Sequence, residues 1–375
     1  MINLKNKNLA LFFTRGLSLK QWSEAGNLSR EIKIYLELKK YFSEVVFFTY
    51  GAADDERYLG EFAGQFKVFP KKVNIPNWLY SLLLPWFYRK ELKNIAVYKT
   101  NQMDGAWTAV IAKIFFHKKL VVRCGYEWLF TARKKQINKL LQLIYFLLEK
   151  FVYKSADVVI LTSPTIINFV VENFKIAQQK ILFIPNYVDT NLFCPQALSA
   201  KDSRRLICVG RLEKEKNLFF VMQALADMEA ELFLYGSGSL EAQLKDFARS
   251  LKKLKVNFCG NVKNDLLPSE LNKSCIFLQF SEYEGNPKTI LEAMSCGVAI
   301  VASNVSGINE IINNGQDGIL CEPDLNKFRI AVESLLGDQG LRDRLGAKAR
   351  ERIVNNFSFP IVLNKELEVY NKLLC

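Results

Sequence analysis

The stretch Glu284-Gly285-Asn286-Pro287-Lys288-Thr289-Ile290-Leu291-Glu292-Ala293-Met294-Ser295-Cys296-Gly297 decides how this chain is read. Two carboxylates stand eight positions apart; a Gly-Asn-Pro turn follows the first, and the second lies on the helix that the turn opens. Carboxylates accept hydrogen bonds from sugar hydroxyls, and the N–H groups at a helix start suit a phosphate. One short segment can therefore hold both ends of a sugar nucleotide. The plainer alternative is a pair of surface glutamates flanking a helix.

Outward from this segment, apolar runs of strand length alternate with helical patterns. The runs are 9–14, 45–50, 66–70, 95–100, 120–124, 158–162 and 181–185 in the first half, and 206–209, 232–235, 256–259, 275–280, 299–302 and 319–321 in the second. Amphipathic stretches at 27–40, 139–153, 218–228 and 240–252 fall between them. Apolar strands alternating with helices predict parallel sheets covered on both faces. The series breaks near 186–195, so the expected fold is α/β, with two doubly wound, Rossmann-like domains facing a cleft. The expected domains are 1–192, 193–357 and a last helical segment, 358–375.

Composition narrows the function class. Half of the 375 residues are apolar, which excludes wholesale disorder. No run reaches the ~18–20 apolar residues of a spanning helix, and Met1–Asn8 leads straight into a strand-like run with no secretory signal pattern. The eight cysteines are scattered with no CxxC or Cys/His cluster, so they read as reduced core thiols of a cytoplasmic protein and no metal site is expected. Residues 1–200 hold 28 basic and 15 acidic side chains, 28 − 15 = +13, which is the whole net charge; residues 201–375 hold 23 of each. All five tryptophans lie in the basic half. That half, with Trp78, Trp86, Tyr88, Arg89, Lys90 and the run Arg133-Lys134-Lys135, is expected to meet an anionic membrane surface or an anionic acceptor. No nucleic-acid module is recognisable, so nucleic acid is not an expected partner.

Other motifs follow strands. Gly210-Arg211-Leu212-Glu213-Lys214-Glu215-Lys216-Asn217 places two cations five apart after a glycine turn, the spacing of a diphosphate clamp, with a solvated polar loop as the alternative. Gly236 and Gly238 in Tyr235-Gly236-Ser237-Gly238 form a turn between a strand and a helix. Gly16 follows the first strand, and Arg123-Cys124-Gly125-Tyr126-Glu127-Trp128 follows another. His117, the only histidine, falls before a strand and reads as a surface residue; Asp54-Asp55-Glu56 reads as solvated surface.

Together the EGNPKTILE, GR-x4-KN and strand-Gly-x-Gly elements resemble the retaining, nucleotide-sugar-dependent glycosyltransferases of the GT-B fold, family 4. The resemblance runs through most of the second half and implies a donor site there. It puts Arg211 and Lys216 on the donor diphosphate, Glu284 at the transferred sugar and Glu292 on the ribose hydroxyls. It assigns Gly16, Gly210, Gly236, Gly238, Gly285, Asn286, Pro287, Lys288 and Thr289 to the donor surroundings, although Pro287 replaces a common glycine and removes an N–H donor. Many relatives carry a histidine in the loop after 120–124; here Arg123, Tyr126 and Glu127 are the acceptor-side candidates instead. The last helix is expected to cross back to the first domain. The implied reaction is metal-independent hexosyl transfer from a nucleotide-diphosphate sugar, with no resident cofactor, to a hydroxyl of a glycan or lipid-linked acceptor. Its implied setting is cell-surface polysaccharide or glycolipid synthesis at the inner face of the membrane. A nucleotide-sugar epimerase on the same fold and a basic nucleic-acid-binding protein are the alternatives.

Overall fold

The computed structural model describes residues 4–196 and 202–374. The chain forms two compact units, Met1–Ile184 with Leu363–Cys375, and Pro185–Val362. Among the described residues, unit 1 holds strands β1 (Leu4–Phe12), β2 (Phe42–Phe48), β3 (Lys67–Phe69), β4 (Val97–Thr100), β5 (Lys119–Cys124), β6 (Val158–Leu161) and β7 (Ile181–Phe183). Its helices are α1 (Leu19–Glu24), α2 (Leu28–Leu38), α3 (Asn77–Phe87), α4 (Arg89–Lys93), α5 (Ala106–Phe116), α6 (Trp128–Lys134), α7 (Lys139–Ser155) and α8 (Pro164–Phe174). Unit 2 holds β8 (Asp202–Val209), β9 (Glu231–Tyr235), β10 (Lys255–Gly260), β11 (Ser274–Gln279), β12 (Ala299–Ser303) and β13 (Ile319–Cys321). Its helices are α9 (Leu218–Ala224), α10 (Glu241–Arg249), α11 (Leu267–Lys273), α12 (Lys288–Ser295), α13 (Leu325–Gly337) and α14 (Gln339–Asn356), and α15 (Phe359–Leu374) closes the chain.

Both sheets are parallel, ordered β3-β2-β1-β4-β5-β6-β7 and β10-β9-β8-β11-β12-β13. Each order reverses once, between β1 and β4 and between β8 and β11. Ligands of such sheets bind beyond the carboxyl ends of the strands at that reversal. Every expected apolar run falls on a strand, and central strands such as β11 and β12 are buried along their whole length, which requires a near-continuous apolar sequence.

The units divide between Ile184 and Pro185, earlier than the expected 192/193. Ile184 still donates its N–H to Leu161 of unit 1 (3.1 Å), whereas Val188 bonds to Phe357 (3.0 Å) and receives the N–H of Phe359 (3.0 Å). Arg350 completes this tie by donating to the carbonyls of Phe193 (2.7 Å) and Thr190 (2.8 Å). Asp55, expected on the surface, is buried: it accepts from the N–H groups of Leu19 (3.2 Å) and Lys20 (3.1 Å) and from Thr49 Oγ1 (2.7 Å), which satisfies the start of α1. Pro85 lies inside α3; the Ser81 carbonyl that a residue at this position would normally engage accepts from Thr108 Oγ1 instead (2.8 Å). Cys124, Cys208, Cys275, Cys296 and Cys321 are buried thiols, while Cys259 is exposed because it lies on the sheet-edge strand β10; Cys375 lies outside the described residues.

From Leu363 onward α15 belongs to unit 1. There Glu366 accepts from Lys99 Nζ (2.6 Å), with both side chains 1% exposed, and from Arg123 (3.3 Å) and Tyr370 (3.4 Å). Burial depresses the Lys99 ammonium; burial alone would raise Glu366, but the Lys99 and Arg123 charges hold it below the ordinary carboxylate range. Removing one partner of such a pair leaves an uncompensated buried charge. Glu366→Ala is therefore expected to lower the stability of unit 1 by about 3–5 kcal/mol, and a Lys99→Met/Glu366→Leu pair by much less. Urea unfolding followed by tryptophan emission checks this, since all five tryptophans lie in unit 1.

Candidate active site

The loops that leave β8 and β11 build the site of unit 2. After β8 the chain turns at Gly210, and the 210–212 backbone zips onto the loop after β9: Gly210 N–H donates to Tyr235 (2.9 Å) and Leu212 N–H to Ser237 (2.9 Å). A Cβ on Gly236 would stand 1.9 Å from the Gly210 oxygen, and one on Gly238 2.4 Å from the Leu212 oxygen. The two glycines thus serve loop-to-loop contact, with Gly236 at φ +136°.

A single turn over Lys214–Lys216, closed by Asn217 in the left-handed region (φ 50°), then aims Lys216 at Glu284. Glu284 Oε1 accepts from Lys216 Nζ, from Gln279 Nε2 (2.7 Å) and from Ser281 Oγ (2.6 Å). Gln279 is itself held by Thr289 Oγ1 on α12 (3.1 Å), and Ser281 through its carbonyl by Ser303 Oγ (2.7 Å). Arg211, the other cation of the expected clamp, is 72% exposed and reaches Glu215 (2.9 Å). An exposed pair of this kind contributes little and exchanges readily for an anionic ligand.

The 284–287 turn is fixed from both sides. Asn286 accepts the Asn186 N–H on its side chain (2.9 Å) and the Asn186 amide on its carbonyl (2.7 Å). A Cβ on Gly307 would come within 2.4 Å of the carbonyl oxygens of Glu284 and Gly285. Pro287 caps α12 without a side-chain hydrogen bond, so the missing proline N–H falls before the first helical turn, and Lys288 and Thr289 open the helix. Glu292, in the second turn of α12, is 2% exposed and accepts from Asn264 Nδ2 (3.0 Å).

In unit 1 the reversal lies between β1 and β4. Gly16 (φ +82°) follows Arg15, whose guanidinium meets Asp104 (2.9 Å) and lies 5.2 Å from the Trp107 ring. The Arg15 N–H also donates to the Asp104 carbonyl (3.1 Å), and Gly105 has no room for a Cβ, which would approach the Arg15 nitrogen to 2.9 Å. After β5, the loop turns two of its three candidates inward. Arg123 is spent on Glu366, and Glu127 is 1% exposed, accepting from Tyr153 Oη (2.9 Å). Only Tyr126 is exposed. Glu149 accepts the N–H groups of Trp128 (2.6 Å) and Leu129 (3.3 Å) at the start of α6.

Residues 192–352 match Glycosyl transferases group 1, and residues 35–192 match Glycosyltransferase Family 4. The chain belongs to glycosyltransferase family 4, group 1. A glycogen synthase of Mycobacterium tuberculosis is 27% identical over 251 residues, which cover 65% of this chain and 59% of that protein. An Escherichia coli UDP-Gal:alpha-D-GlcNAc-diphosphoundecaprenol alpha-1,3-galactosyltransferase is 29% identical over 270 residues, covering 67% of this chain and 68% of that one. The structure of a sucrose-phosphate synthase from Thermosynechococcus elongatus superposes with a TM-score of 0.79 at 18% identity, over 98% of this chain and 99% of that one. The fold is GT-B.

In this family 4 chain the structure brings Lys216, Glu284 and Thr289 into one hydrogen-bonded network, with Gly210 and Arg211 in the adjoining loop. It withdraws Arg123 and Glu127 from solvent, because each completes a buried polar cluster. Sequence reasoning missed Gln279, Ser281, Gly307, Asn264, Arg15 and Asp104. The signals present were a polar residue, Gln279, inside the apolar run 275–280 and a glycine shortly after 299–302.

The Glu127–Glu149 pair has a measurable consequence. Burial pushes Glu127 up to about 7, and burial together with the Glu127 charge pushes Glu149 up to about 8. Folded-state values above those of the unfolded chain mean that their contribution to stability is complete below pH ~4.3. That contribution is lost as pH rises through about 7 and 8. The melting temperature of Glu127→Gln should therefore fall less than that of the unaltered chain between pH 6 and pH 9, roughly the span bracketing both titrations. Parallel scanning-calorimetry profiles would show the pair to be ionised in the folded state.

Proposed function

We propose that this chain is a retaining, metal-independent glycosyltransferase of the hexosyltransferase type. It moves a sugar from a nucleotide-diphosphate donor to a hydroxyl of a glycan or lipid-linked acceptor, in cell-surface polysaccharide or glycolipid synthesis. It works on the cytoplasmic side as a peripheral membrane protein and needs no resident cofactor. The observation that carries the reading is the convergence of Lys216, Gln279 and Ser281 on one oxygen of Glu284 at the strand-order reversal of unit 2. The other carboxylate oxygen is left for a sugar hydroxyl. The further N–H bonds of Lys216, the exposed Arg211 and the N–H groups opening α12 suit the diphosphate. The UDP-Gal donor and lipid-linked acceptor named for the E. coli relative support the substrate classes.

As the bond from the sugar to the phosphate oxygen breaks, its electron pair goes to that oxygen. Arg211, Lys216 and the backbone amides stabilise the growing charge. The acceptor oxygen bonds to the sugar on the same face, and its proton passes to the departing phosphate oxygen. No dedicated general base is required, in keeping with a site loop whose Glu127 is buried. Glu292, bonded to Asn264 beneath the site, is the ribose partner, and Asn286, Gly285 and Gly307 fix the turn that presents Glu284.

Incubation with a panel of nucleotide sugars and a hydroxyl acceptor tests the proposal. Lys216→Ala is expected to lower kcat by roughly 10²–10³, and Arg211→Ala to act in the same direction with incomplete recovery in Arg211→Lys. Glu292→Gln should raise donor KM more than it lowers kcat, since ribose contacts change little along the reaction. Near-native kcat in folded Lys216→Ala at saturating donor overturns the clamp, and donor isomerised without acceptor overturns transfer. Activity is expected to survive EDTA; loss restored by Mn²⁺ would contradict metal independence.

A further inference from the structure

One side of the unit 1 sheet is covered by α3, α5 and α7, and their outward surface is apolar. Sixteen large hydrophobic side chains are exposed among the described residues, and eleven of them lie on these three helices. On α7, Leu140, Leu143, Ile144, Leu147 and Phe151 recur at the spacing of one helical stripe, yet the buried side of that helix is formed by Glu149, Val152 and Tyr153. A stripe of this kind normally faces a core; here it faces solvent, with Leu140 at 70% and Trp86 of α3 at 67% exposure. Contiguous apolar surface on this scale marks an interaction site.

A groove of about 570 Å³ runs through this face. Trp78 and Leu82 wall one side and Tyr145, Leu148 and Phe151 the other, above Ile111, and its polar end is the Arg15–Asp104 pair. Its floor is preset: Trp107 Nε1 donates to Ser81 Oγ (2.9 Å), which fixes α5 against α3.

Charge identifies the occupant. Residues 77–155 hold 14 basic and 4 acidic side chains, 14 − 4 = +10. Of the acidic ones, Glu127 and Glu149 are buried and Asp104 is paired with Arg15. Arg133, Lys134, Lys135 and Lys139 are exposed where α7 begins, and Arg89 lies 5.4 Å from the Trp86 ring. A second copy seated on this face would oppose two strongly positive surfaces. An anionic bilayer matches both the cationic margin and the apolar centre. Among the described residues no helix is long and apolar enough to cross a membrane, so the contact is one of partial insertion. Tyr88, expected at this surface, is buried with its hydroxyl on the Pro70 carbonyl.

We propose that α3, α5 and α7 form a membrane-insertion face by which unit 1 docks on an anionic bilayer, drawing a chain of one of its lipids into the groove. This deepens the peripheral placement proposed above and is independent of the donor chemistry. The mode differs from adsorption through lysines alone, because inserted side chains hold on when salt screens the charges.

The test is flotation of the full chain with phosphatidylglycerol/phosphatidylcholine vesicles, without nucleotide sugar, in about 0.1 M and about 1 M salt. The expected result is binding that is weakened but retained at high salt, with a blue shift of tryptophan emission and quenching by brominated lipid. The double variant Leu143→Glu/Leu147→Glu should lower the bound fraction at least about tenfold, because each leucine otherwise transfers from water to hydrocarbon. Its circular dichroism and its thermal shift with nucleotide sugars should match those of the unaltered chain. Binding released completely by salt overturns insertion and leaves peripheral adsorption standing; absence of binding to anionic vesicles overturns both and leaves the transfer reaction untouched. Native-level binding by the double variant overturns the assigned face. A concentration-dependent dimer in light scattering that the double variant abolishes assigns the face to a second copy instead.

Discussion

Oε1 of Glu284 is the point on which the loop architecture of unit 2 depends. An oxygen that accepts from Lys216, Gln279 and Ser281 cannot shift without breaking bonds to two separate loops. Gln279 passes the constraint to Thr289 at the start of α12, and Ser281 passes it to Ser303 at the end of β12. The glycines follow from the same requirement: Gly236, Gly238 and Gly307 stand where neighbouring backbone leaves no space for a Cβ. Preorganisation is thus built from close backbone packing and one shared acceptor, in a turn that a helix start immediately follows.

How legible this was depends on where each partner sits in the sequence. Central strands such as β11 and β12 were readable because a parallel strand buried on both faces is written as a continuous apolar word. That Lys216 and Glu284 belong to loops leaving the strand ends was readable because each follows such a run in a segment with a glycine or proline turn. Arg123 was misplaced for the converse reason. Its partner Glu366 lies 243 positions away, and no local pattern shows that a charged residue ending a strand points inward. Glu127 and Asp55 share this property: each is an acidic residue in a polar loop whose donors, Tyr153 in one case and the start of α1 in the other, are supplied by tertiary packing. The outward stripe of α7 was hidden differently. Its periodicity announced an amphipathic helix, and periodicity does not say which of two apolar faces meets the sheet.

Unit 1 therefore joins two opposite departures from ordinary patterning. Carboxylates lie in its interior, and aliphatic and aromatic side chains lie on its surface. Glu149 is held by the start of α6 and Glu366 by Lys99 and Arg123, whereas Glu127 has only one oxygen engaged, by Tyr153, and its other oxygen is buried without a hydrogen bond. The exposed apolar residues have no comparable partner within the unit, which is why function rather than folding accounts for them.

The place of Glu366 in the chain also sets an order in time. During synthesis the strands of unit 1 emerge first, with Lys99 at the centre of their sheet. The carboxylate that neutralises it is translated only after all of Pro185–Val362. Until then the nascent unit keeps an uncompensated interior ammonium and an uncovered seat for α15. Vectorial folding therefore cannot finish the first unit before the second has been made.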